Sequence, residues 1–283
     1  MTFAKRWGAT AVALLLAGCA SGRQPARDQG QAAPDELSTQ ERVTSAWPVK
    51  TRHHVDLWLH GFAMVQDDTT LVPYFRRGYR ERMTALKKQA NVVTQLDMNR
   101  DRLRSRFAAN RDLVGGQFLA LYFSSWDEMQ QAIELMLRAE GDPRRTRDQQ
   151  AQAVVAMLAS LFPTSADREW LRLFTTSLRD ENDKFYRTHW QQVQRDRAPV
   201  VARLDSLWEY TYRPKLQPYL NNTQLAAGDF LLSLPLGGEG RTVTGGKQAN
   251  MVATAFPETR DGVIEAIYVF AHEAISPVAS VAV

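Results

Sequence analysis

Near the end of the chain, His272 and Glu273 stand side by side in the apolar run VIEAIYVFAHEAISPVASVAV. An imidazole can bind a metal ion through a ring nitrogen and a carboxylate can take a proton from a bound water, so this pair is a candidate for hydrolytic chemistry. The alternative is structural, because a charged pair on a buried helix must find partners among the backbone and its neighbours. A second concentration is HHVDLWLHGFAMV, with His53, His54 and His60, three of the five histidines. As a strand, His54, Asp56, Trp58 and His60 would share a face; as a helix, Asp56, His60 and Met64 would. Either geometry brings Asp56 towards His60, as a ligand with its orienting carboxylate or as a structural hydrogen bond. The third reactive side chain is Cys19, the sole cysteine, so no disulfide can form within the chain.

The elements around these residues begin with MTFAKRWGATAVALLLAGCASG. Lys5 and Arg6 precede an apolar stretch at 9–16 and small residues leading to Cys19. That is the pattern of a signal peptide, and the apolar stretch is shorter than the roughly 20 residues that cross a bilayer. Leu16-Ala17-Gly18-Cys19 resembles the lipobox of bacterial lipoproteins. The resemblance implies a signal peptide at 1–18, lipidation of Cys19 and anchoring to a membrane of the cell envelope. With Ala20 rather than aspartate after the cysteine, it further implies the outer membrane, facing the periplasm. Residues 19–46 are mostly Gln, Ala, Asp, Ser, Gly and Pro, a composition that cannot bury enough surface to fold and reads as a tether.

The formal charge of +4 includes Lys5 and Arg6; without them, 33 basic side chains face 31 acidic ones. Arginines gather in YFRRGYRERMTALKK and MNRDRLRSRF, but interleaved acids and apolar positions make these solvated helix faces. No one-sided basic surface with stacking aromatics is present, which argues against a nucleic-acid partner.

Between 47 and 225 the patterning is helical. In SSWDEMQQAIELMLRAEGDP, Ser125 and Glu128 form a capping box, Met129, Ile133, Met136 and Leu137 a helical stripe, and Gly141 with Pro143 a stop. Further helices are expected near 73–89, 95–110, 147–161, 167–189 and 199–214. Trp126, Trp170, Phe174, Trp190, Trp208 and Tyr212 fall on apolar stripes and are expected to pack in the core. After 225, GDFLLSLPLGGEGRTVTGG and NMVATAFP are short apolar runs broken by paired glycines and a proline, the writing of a small antiparallel sheet. The closing run is apolar nearly all round and reads as a buried helix up to Ser276. The fold class is therefore α+β, predominantly α-helical: a helical lobe at 47–225, then a small antiparallel sheet and a buried helix at 226–283. The ending ASVAV has no stop signal, so the chain reads as cut within its domain, with an exposed apolar patch at 278–283.

A small sheet followed by a helix carrying His-Glu resembles the catalytic core of gluzincin zinc metallopeptidases, which bear His-Glu-x-x-His. The resemblance covers about the last 60 residues. It implies that His272 would bind zinc and that Glu273 would polarise the attacking water. Ser276 stands where the second histidine belongs, Pro277 follows it, and no downstream segment supplies a third ligand. No Gly-x-Ser-x-Gly elbow occurs, and Gln248 after Lys247 breaks the pattern of a phosphate loop. Two functions stay open: an anchored metallopeptidase-like domain, or a non-catalytic envelope lipoprotein that binds a protein or peptide partner or supports a complex.

Overall fold

A computed structural model describes residues 46–66, 74–221, 225–244 and 250–279, without the side chains of Arg111 and of 276–279. The signal peptide, Cys19, the tether and the apolar ending at 280–283 lie outside the described residues.

The first strand, β1 (Val49–Thr51), leads directly into α1 (His53–Val65), which settles HHVDLWLHGFAMV as a helix. Helices α2 (Tyr79–Gln89) and α3 (Gln95–Ala109) follow. A 3-10 segment (Arg111–Tyr122), α4 (Trp126–Arg138) and α5 (Gln149–Leu161) come next. Then α6 (Ser165–Glu181) runs through a π-helical turn into α7 (Arg187–Asp196). In the same way α8 (Ala198–Leu207) passes through a π turn into α9 (Arg213–Leu220). The chain closes with β2 (Gly228–Ser233), β3 (Arg241–Val243), β4 (Asn250–Ala255) and α10 (Arg260–Ala279). The fold is α+β and mostly helical.

Local chemistry starts and stops these helices. Thr94 with Asp97, and Thr164 with Asp167, form reciprocal capping boxes on α3 and α6. On α4, Ser125 caps the Glu128 amide, while the Glu128 carboxylate accepts from the Ser124 amide, one residue earlier than the expected box. The α4 helix ends as Glu140 and Gly141 turn left-handed, with φ of 53° and 75°. Of the aromatics expected in the core, Trp170, Phe174 and Trp208 are buried, and Trp126, Trp190 and Tyr212 pack against the core from partly buried positions.

The sheet differs from the expected antiparallel one. Its order is β1-β2-β4-β3, with β1–β2 and β2–β4 parallel and only β3–β4 antiparallel. Alternation along the strands explains why: Leu231, Met251 and Ala253 point into the core of the helical lobe, whereas Phe230, Leu232 and Val252 join Trp47, Trp208 and Phe270 on the other face. A sheet covered on both faces favours parallel pairing, and its strands read as unbroken apolar runs such as FLL. The outer cover is α10, which is buried on one face only, contrary to its nearly all-apolar reading. Val263, Ala266, Ile267, Phe270 and Ala274 are buried, while Ile264, Tyr268 and His272 face solvent. The α10 backbone also continues through Pro277 to Ala279; proline removes one helical N–H, and here the helix runs on. No helix among the described residues is long and apolar enough to cross a membrane.

Candidate functional site

On α10, His272 Nδ1 lies 3.8 Å from Glu273 Oε1, and the imidazole is 62 % exposed. Glu273 is anchored to the edge strand: the Thr242 hydroxyl donates to its carboxylate at 3.3 Å and to its backbone carbonyl at 3.1 Å. Gly240 makes this contact fit, since a Cβ there would come within 2.7 Å of Glu273 Cγ and 3.0 Å of the Ala253 carbonyl oxygen. Among the described residues no group of three or more His, Cys, Asp or Glu could hold a metal ion. His272 and Glu273 are thus neighbours without a third ligand beside them, and the Ser276 side chain lies outside the described residues.

The histidines of α1 turn to separate partners rather than to one centre. His54 Nε2 meets the Phe123 carbonyl at 3.0 Å, so that nitrogen carries its proton and is no metal ligand. His53 packs edge-on to Trp190. Asp56 and His60, one turn apart, share no hydrogen bond with each other. Asp56 is wholly buried and accepts from the Ser233 hydroxyl (2.6 Å), the Trp190 indole (2.8 Å) and the Leu234 amide (3.2 Å). Among the described residues no cation contacts it, and burial outweighs those three donors to push its carboxyl up to about 7.

His60 belongs to a second buried network. Its Nε2 is 3.0 Å from Glu181 Oε1 and its Nδ1 3.0 Å from the Tyr79 hydroxyl. Lys87 Nζ bridges both Glu181 oxygens at 2.8 and 3.1 Å and reaches Asp97 at 2.6 Å, while the Thr94 hydroxyl completes the Glu181 shell. Burial drives the Glu181 carboxyl upward, but His60 and Lys87 overcome it and hold it down at about 2. Glu181 and His60 are fully buried in this network and Lys87 nearly so. The network joins α1, α2, α3 and α6, and both oxygens of Glu181 are taken.

An open site lies at the carboxyl ends of β2 and β4, a crevice of about 700 Å³ between Phe75–Arg77, the loop after β2, the loop after β4 and α10. Here open α/β sheets take their ligands, because the loops that leave parallel strands diverge at that end. Its floor is fixed by short ladders: the Arg76 amide donates to the Pro235 carbonyl at 2.9 Å and Gly237 to Tyr74 at 2.6 Å. A Cβ at Gly237 would meet the Phe75 carbonyl oxygen at 2.9 Å, so only glycine allows this approach. Asp56 holds the same loop from behind, through Ser233 and Leu234.

Three arginines from three segments converge on Glu258. Arg76 pairs with its Oε1 and donates to the Phe256 carbonyl at 2.6 Å. Arg82 reaches the same oxygen at 2.9 Å, and Arg197 lies 3.7 Å from it while donating to the Pro257 carbonyl at 3.2 Å. Glu258 is 40 % exposed. Burial raises its carboxyl, but Arg76, Arg82 and Arg197 together hold it below the usual carboxylate range. Burial likewise lowers the Arg76 guanidinium, against the attraction of Glu258. By sequence 73–89 reads as a solvated helix face, and the crevice has no mark there, because Arg76 and Glu258 are 182 positions apart and no local spacing joins them. Compared with known proteins, the chain matches no family model, no curated protein and no solved structure.

Proposed function

We propose that this chain is a bacterial envelope lipoprotein, anchored through lipidated Cys19 to the outer membrane and facing the periplasm, whose folded part is a non-catalytic binding module. The observation that carries the binding role is the crevice at the carboxyl ends of β2 and β4, lined by Arg76 and by the partly exposed Glu258, whose Oε1 Arg82 and Arg197 also approach from beside it. A photo-crosslinking residue at Glu265, which lines the crevice, tests the role in cells, with Met98, 67 % exposed on α3, as the control position. A discrete adduct from position 265 and none from 98 is expected; equal labelling at both, or none at either, overturns the reading. Cys19→Ser is expected to release the protein from membranes without lowering its unfolding temperature, because the anchor precedes the folded part by a tether. Sedimentation of that variant with salt-washed outer membranes would contradict the anchor.

A second reading, a zinc metallopeptidase-like domain with His272 as ligand and Glu273 as base, is favoured by one feature: the solvent-open imidazole beside a carboxylate held on edge strand β3. Stoichiometric zinc in the purified full-length chain that disappears with His272→Ala would establish it. Equal metal content in both removes it.

A further inference from the structure

The crevice suggests what it binds, and this step rests on the binding role proposed above. Glu258 is a poor structural partner for the charge around it. One carboxylate answers three guanidinium groups, all of them through Oε1. Arg76 and Arg197 are further held by the carbonyls of Phe256 and Pro257, so their positions do not depend on Glu258 alone. Guanidinium groups present paired N–H donors that match the two oxygens of a carboxylate. A prearranged set of three therefore has capacity for a second carboxylate, or for one that replaces a half-exposed side chain.

The remaining walls select among anions. Glu239, Asp261 and Glu265 line the crevice with Arg77 and Val269, beside Glu258 itself. Three acids on the walls repel a multiply charged anion such as phosphate and attract an amine. We infer that the crevice binds a peptide-type ligand carrying both a free carboxylate and an amine, with the carboxylate on Arg76, Arg82 and Arg197 in the place Glu258 holds. Glu258 is then an internal stand-in for the ligand, and removing its charge exposes the site.

Calorimetric titration of the full-length chain in detergent tests this with tri-alanine, its C-terminal amide and inorganic phosphate. Tri-alanine is expected to bind wild type weakly and Glu258→Gln about tenfold or more tightly, the gain from freeing charge-assisted hydrogen bonds. Amidation should abolish binding, and Arg82→Gln should cancel the gain in the Glu258→Gln background. If Glu258→Gln does not fold, Arg82→Gln alone, at a side chain 43 % exposed, is expected to remove the wild-type binding. The inference is overturned if the amide binds as well as the free acid, if phosphate binds more tightly than tri-alanine, or if neither variant changes affinity. A crosslink from position 265 with no tri-alanine binding would sink the carboxylate assignment and leave the binding role standing.

Discussion

Two glutamates in this molecule each gather several polar partners, and they have opposite fates. Glu181 is fully buried, and His60, Lys87 and Thr94 use both its oxygens. Glu258 is 40 % exposed, and Arg76, Arg82 and Arg197 crowd one oxygen while water reaches the group. A carboxylate with several donors thus makes a structural knot where both its oxygens are used in a buried interior, and an exchangeable contact where solvent can compete. Burial and the use of both oxygens, rather than residue type, separate the two.

The comparison breaks most visibly at Glu181. Glu181→Ala leaves Lys87 a buried cation with only the partly exposed Asp97 and the Thr94 hydroxyl beside it, and is expected to cost about 3–5 kcal/mol in chemical denaturation. A loss below about 1 kcal/mol would mean that the Glu181 oxygens are not engaged as described.

Asp56 sharpens the contrast through pH. Its carboxyl is raised in the folded chain to about 7 from an ordinary value near 3.8. The folded state therefore binds the proton more tightly, and stability should fall as pH rises from about 4 to 7. Glu181 acts with the opposite sign: its carboxyl is lowered from 4.5 to about 2, so its contribution is present above about 4.5 and lost as pH falls towards 2. Asp56→Asn should flatten the fall between pH 4 and 7 and leave the acid limb unchanged, as followed by unfolding midpoints across pH. An unchanged slope in the variant would show that Asp56 is ionised throughout.

The smallest effect belongs to Glu258. Exposed ion pairs contribute little, so Glu258→Gln is expected to change stability by less than about 1 kcal/mol, measured by the same denaturation.

Much of the helical lobe was legible in the sequence, because its signals are local. Ser125 and Glu128 mark the start of α4, Gly141 its end, and the expected helices at 95–110 and 147–161 match α3 and α5 within a few residues. The sheet's direction was not legible, since β1 and β2 pair across the whole helical lobe and only β3–β4 is a local pairing. Helical spacing placed Asp56 and His60 on one face, but their partners arrive from far along the chain: Ser233 is 177 positions from Asp56, and Glu181 is 121 from His60. The His272–Glu273 pair could be read as neighbours. Its exposure could not, because the apolar Ile264 and Tyr268 turned out to lie on the solvent face of α10 beside it. The arginine cluster on Glu258 was not legible, as Arg76 and Arg82 sit in a stretch that reads as a solvated helix face and their partners Arg197 and Glu258 come from far along the chain.

The central claim is that the two glutamates differ in kind, and the direct measurement is the stability and tri-alanine affinity of Glu258→Gln set beside those of Glu181→Gln. The account predicts that Glu258→Gln keeps wild-type stability within about 1 kcal/mol and binds about tenfold more tightly, whereas Glu181→Gln loses stability and, where folded, binds as wild type does. Equal losses of stability in both variants, with affinity unchanged in both, would contradict it.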